Sequence, residues 1–94
     1  MASTKTRVQT LKNLLKQNKA VFVYWVDPSS YSPWLAIEPT KNLEPMGQWS
    51  FGFVVGKTRR KLTLALTYAD DRASVADVLV LPMGCVREIV EAKI

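Results

Sequence analysis

The stretch GFVVGKTRR, Gly52 to Arg60, sets two glycines before Lys57 and Thr58 and follows them with two arginines. A lysine and a hydroxyl after a glycine-rich turn are the means of phosphate capture. Backbone N–H groups cradle the anion, the lysine neutralises it, and the hydroxyl holds magnesium. The spacing argues against that use. A phosphate loop has four residues between its glycines, a strand before it and a helix after it. Here Gly52 and Gly56 enclose three residues, Phe53, Val54 and Val55, which belong in a strand. The following RRKLTLALT alternates like a second strand. The amides of a true loop converge on phosphate because the loop winds into a helix N-terminus, and a hairpin turn offers no such cradle. What remains is KTRRK, with four cationic side chains, Lys57, Arg59, Arg60 and Lys61, in five residues. These can grip phosphates through point charge and the bidentate guanidinium fork. They equally serve as edge charges that keep a sheet from aggregating.

Other reactive groups are sparse. The chain has no histidine and one cysteine, Cys85, so neither an internal disulfide nor a Cys/His metal site can form. Nucleophilic triads lack their base. Cys85 sits among apolar residues and reads as a small buried hydrophobe. Asp70, Asp71 and Asp77 cluster, but the first two lie in a turn-like stretch where aspartate bonds its own backbone. No catalytic residue, metal or cofactor is expected. Aromatics beside basic groups can stack bases. Trp25 and Phe51 fall in strands and read as core. Tyr31 and Trp34, in a Ser/Pro loop, are the better ligand-facing candidates, although a loop tryptophan also serves to anchor its loop or plug a barrel end.

These residues need elements to hold them. The chain of 94 residues carries a net charge of +5, which suits one compact domain with a basic bias. Lys5, Arg7, Lys12, Lys16 and Lys19 face no acid before Asp27, while the remainder balances eight basic residues with eight acidic ones. Ser3 is a natural N-cap for a helix to about Gln17. Val8, Leu11, Leu14 and Leu15 share one face of that helix, and Lys5, Lys12, Lys16 and Lys19 the neighbouring one. The lysines are either a binding stripe or the wet side of an amphipathic segment. AVFVYWV, Ala20–Val26, is a strand apolar on both faces, hence central or covered on one side by the helix. Asp27–Gln48 is a long, proline-broken connection, in which SPWLAIEP holds at most a short turn of helix. Trp49–Val55 and Lys61–Tyr68 form a hairpin. VADVLVL, Val75–Leu81, is a further strand ended by Pro82, and a tight turn, of 3₁₀ type, follows at PMG. CVREIVEAKI fits either a strand or, through Val86, Ile89 and Val90, a helix. A strand is preferred because a five-strand meander then closes. The expected fold is mainly β, a small five-stranded SH3-like or Sm-like barrel spanning residues 20–94, behind a basic amphipathic helix over residues 1–19.

YWVDPSSYSPW, the GFVVGKTRRKLTLALTY hairpin and VLVLPMGCVREI together resemble small, mostly uncharacterised proteins encoded by bacteriophages and prophages. That resemblance covers about Val21 to Ile94 and implies origin and a small-barrel fold, with no binding residues to carry over. A phage origin implies the cytoplasm of an infected bacterium. No apolar run reaches the roughly 20 residues of a membrane span, and the start lacks the apolar core of a secretion signal. Three roles are compatible with these features: binding nucleic acid through Lys12, Lys16, Lys19 and KTRRK, inhibiting a host protein, or sequestering a phosphorylated nucleotide between copies of a homo-oligomer. Charge favours nucleic acid or a nucleotide as the ligand, with host-protein inhibition as the alternative. All three are binding roles without catalysis.

Overall fold

A computed structural model describes residues 3–28, 30 and 32–93. The helix α1 spans Thr4–Gln17 and is capped as expected: the Ser3 hydroxyl accepts from the Thr6 amide at 3.2 Å. Its first turn holds no acid to offset the helix dipole, so little beyond that cap fixes the free end. Leu14 is buried, while Val8 and Leu11 remain exposed. The C-terminal end is clasped instead by polar side chains. Gln17 Nε2 donates to the Tyr68 hydroxyl and to the Arg72 carbonyl, both at 2.9 Å. The Tyr68 hydroxyl donates to Asn18 Oδ1, and Asn18 Nδ2 donates to the Val54 carbonyl at 2.8 Å.

Five antiparallel strands form one sheet: β1 (Ala20–Asp27), β2 (Met46–Lys57), β3 (Lys61–Tyr68), β4 (Val75–Pro82) and β5 (Val86–Glu91), in the spatial order β4-β3-β2-β1-β5. A 3₁₀ turn over Met83–Cys85 joins β4 to β5, as the PMG stretch predicts, and CVREIVEAKI settles as a strand. The sheet is open, since no ladder joins β4 to β5. The mainly β, five-stranded part of the expectation is present; closure into a barrel is not. The three-residue 3₁₀ turn tethers the two edge strands at one end, with its Met83 amide donating to the Arg60 carbonyl at 2.8 Å.

β2 is longer than the alternation indicated because it serves two partners. Met46–Phe53 pairs with β1, from Asp27↔Met46 to Ala20↔Phe53, and Phe53–Lys57 pairs with β3. The handover falls beside Gly52. A Cβ at that position would lie 3.0 Å from the Ala65 carbonyl oxygen and 3.1 Å from Leu64 Cβ. A side chain there would make the Ala65 backbone give by a few tenths of an ångström, so glycine suits the close approach of β2 to β3, and a bulge between Val54 and Gly56 adds a bend. Past β3, β2 continues along β1, which β5 pairs on its other side as far as Trp25, so only Val26–Asp27 and Met46–Gly47 run on as a two-stranded ribbon. Its connection, residues 28–45, contains the short helix α2 (Ile37–Thr40), so the predicted helical turn begins inside SPWLAIEP and continues beyond it. The molecule is elongated, with extents of 62 × 24 × 21 Å and a radius of gyration of 17.9 Å. A compact chain of this length would have a radius near roughly 12 Å.

The core is Val21, Val23, Leu62, Leu64 and Leu81, with Trp25, Val54, Met83, Val86 and Ile89 packed against it. Each fully buried aliphatic side chain contributes about 1.5–3 kcal/mol. Trp25 joins this core as expected and donates from Nε1 to Ser50 Oγ at 3.0 Å. Two expectations are corrected. Phe51 points away from the core and is 42% exposed, because it lies on the alternate face of β2. Cys85 is only half-buried, because the 3₁₀ turn sits at the surface. Among the described residues no helix is long and apolar enough to cross a membrane.

Candidate functional site

The clasp at the end of α1 brings two of the basic groups together. Lys19, just after the helix, and Lys57, the last residue of β2, line one groove of about 270 Å³ with Gln17, Asn18, Val54 and Ile89. The Val54 amide donates to the Lys19 carbonyl at 2.7 Å, which fixes the backbone on that side. Lys19 is partly neutralised, since its Nζ lies 3.4 Å from Glu91 Oε1. Both side chains are well exposed, so the pair contributes little to stability and can open to an incoming anion. Lys12 and Lys16 stand exposed on α1, and among the described residues neither has a carboxylate within ion-pair distance.

The KTRRK stretch is a hairpin tip, with Lys57 opposite Leu62 and Thr58, Arg59 and Arg60 making the turn. Thr58 is employed structurally. Its hydroxyl accepts from the Arg60 amide at 3.2 Å and the Lys61 amide at 3.1 Å, while its own amide donates to the Lys61 carbonyl at 2.9 Å. The N–H groups that a phosphate cradle would aim at a ligand are therefore occupied by the threonine. Any anion at this tip must be held by the exposed side chains of Arg59, Arg60, Lys57 and Lys61.

A second surface was not singled out from the sequence. Phe22 opposes Phe51, and Tyr24 opposes Trp49, across the β1–β2 ladder. Their ring centroids are 4.9 and 5.1 Å apart, with tilted planes. Phe22, Phe51 and Trp49 are 46, 42 and 57% exposed and Tyr24 is half-buried, so three rings of this aromatic ladder stand open to solvent. Tyr24 reaches along the strand to cover Gly47, where a Cβ would collide with its hydroxyl. Val90 and Glu88 of β5 flank the ladder opposite Phe22 and Tyr24. At the other end Leu11 and Leu15 of α1 meet Phe51, Phe53 and Lys93 in an apolar groove of about 270 Å³. The signal was present in the alternation of Phe22/Tyr24 with Val21/Val23, but both sets are apolar, so nothing in β1 alone marks which face is buried.

Trp34 plugs nothing: it projects fully into solvent, 102% exposed, from the arm over residues 28–45. Ile37 and Met46, at 76 and 65%, are similarly bare. Within the arm Leu35, Ala36, Pro39 and Leu43 line a small apolar pocket. Tyr31 lies outside the described residues. The acidic cluster has the local role its composition suggests. Asp71 accepts from the Ala73 amide at 2.8 Å, from the Ser74 hydroxyl at 3.1 Å and from the Ser74 amide at 3.0 Å. The Ala73 bond foremost, with those from Ser74, holds its carboxyl below the usual aspartate value. Asp77 accepts from the Thr67 hydroxyl at 3.2 Å. No protein family, curated protein or solved structure matches this chain.

Proposed function

We propose that this chain is a non-catalytic binding protein for single-stranded nucleic acid. The observation that carries the reading is the pair of solvent-open cross-strand aromatic contacts, Phe22–Phe51 and Tyr24–Trp49, at 4.9 and 5.1 Å. Bases stack on such rings without regard to sequence, at about 1–3 kcal/mol each. The lysine-bearing α1 borders the ladder and supplies the charge that a phosphate backbone needs, and Lys93 lies in the groove between them. The groove at Lys19 and Lys57, at about 270 Å³, falls below the 300–1,000 Å³ typical of small-molecule sites. That size favours a strand lying along the surface over an enclosed nucleotide. The strand order supports regarding the sheet as an SH3-like or Sm-like small barrel left open between β4 and β5, and a phage origin, as the resemblance implies, would make the ligand one met in an infected cell.

The deciding measurement is fluorescence anisotropy of a labelled single-stranded oligonucleotide. Binding should weaken steeply as salt rises. Trp49→Ala should weaken it roughly 10- to 100-fold, and replacing Arg59 and Arg60 with alanine should flatten the salt dependence. Absence of binding at low salt ends the proposal. A second reading, capture of a host protein, is favoured by one feature: the exposed Trp34 and Ile37 of the arm and Met46 at the start of β2 are of a kind that protein interfaces bury. It predicts a partner lost with Trp34→Ala and indifferent to oligonucleotides.

A further inference from the structure

The two edges of the sheet differ in kind. β5 reads VREIVE, and Arg87, Glu88 and Glu91 charge its rim, the usual protection of a free edge. β4 reads VADVLVLP. Val78 and Val80 lie on one face and Leu79 and Leu81 on the other, the pattern of a strand covered on both sides. Yet β4 ends the sheet, with β3 as its sole partner among the described residues. Leu81 is buried, while Val78, Leu79 and Val80 are 51, 37 and 54% exposed. The one charge on the strand is turned off the rim. Asp77 adopts a left-handed backbone, φ 56°, and its carboxylate accepts from Thr67 on β3. A non-glycine residue rarely adopts that backbone conformation, and the stretch after it, Val78 to Leu81, is uninterruptedly apolar.

We propose that β4 pairs antiparallel with β4 of a second copy across a two-fold axis, making one continuous ten-stranded sheet. A register centred on Leu79 places Val78 opposite the other copy's Val80 and Asp77 opposite its Leu81, so no acid faces an acid. The same patch meets itself, which closes the assembly at two chains. The inference rests on the β4 edge and is independent of the ligand.

The test is the mass of the full-length protein by sedimentation equilibrium across a concentration series, with circular dichroism to check folding. The expected result is twice the chain mass of 10.6 kDa. Val80→Lys alters an exposed position, so the folded monomer should persist, with the dissociation constant raised at least about 100-fold by a charge brought into the pairing edge. Glu88→Gln on β5 should leave the dimer intact. Hydrogen exchange supplies a second readout: amides of Val78–Leu81 should gain protection as the parent protein is concentrated. A monomer at all concentrations overturns the proposal. So does a larger ring that depends on β5, or a dimer indifferent to Val80→Lys.

Discussion

Val21, Val23 and Trp25 alternate along β1 with Phe22, Tyr24 and Val26, and the two sets meet different fates. The first set joins Leu62, Leu64 and Leu81 in the core, where Val23 and Leu62 are wholly buried. The second faces outward with Trp49 and Phe51; Phe22, Trp49 and Phe51 stay open to water, and Tyr24 and Val26 are half-buried. Both sets are equally apolar, so the sheet's hydrophobic face is chosen by what lies opposite. On the inner side β2 bends at Gly52 and brings β3 and β4 over the strand. On the outer side, among the described residues, α1 and Lys93 lie against the Ala20–Phe53 end and leave the rest of the face open. An apolar face that folding leaves uncovered is available for recognition.

This contrast can be broken experimentally. The largest effect is expected on the inner side. Leu64→Ala should cost about 3–4 kcal/mol in urea denaturation, through lost burial and a cavity, a large share of the roughly 5–15 kcal/mol that holds a small domain. Trp49→Ala removes a larger side chain from the outer side and should cost less, about 1–2 kcal/mol, mainly its contact with Tyr24. A greater loss for Trp49 than for Leu64 would mean that the outer face is the true core. The smallest effect lies in the turn before β4. Asp71 has a lowered folded-state pKa, so its contribution is present above its unfolded value of about 3.9 and is lost as pH falls through the folded value. The stability difference between Asp71→Asn and the parent should therefore shrink between about pH 5 and pH 3. A constant difference would show that the carboxylate's charge is not what the Ala73 and Ser74 amides recognise.

The strands were legible because their signals are local. Leu62, Leu64 and Leu66 alternate with threonine and alanine, Ser3 announces a cap, and RRKLTLALT contradicts a phosphate loop whatever the glycines suggest. What could not be read depends on residues distant in the chain. Nothing around Gly52 says that the Ala65 carbonyl will press against it, so neither the bend nor the full length of β2 was visible. The outward turn of Phe51 follows from that bend and from its pairing with Phe22. Lys12, Lys16, Arg59 and Arg60 were found as candidates because charge is exposed in almost any fold. Joining Lys19 to Lys57 needed the Asn18–Tyr68 clasp, whose partners lie 50 residues apart.

The positions of the three indoles make the molecule its own optical sensor. Trp25, tied to Ser50 against the core, should emit like a shielded fluorophore and change when the chain melts. Trp34 should emit like free tryptophan in water until something covers the arm, and Trp49 should be quenched when a planar ring system settles on it. Three single-tryptophan versions would thus report melting, arm contact and ring stacking separately, without an attached dye.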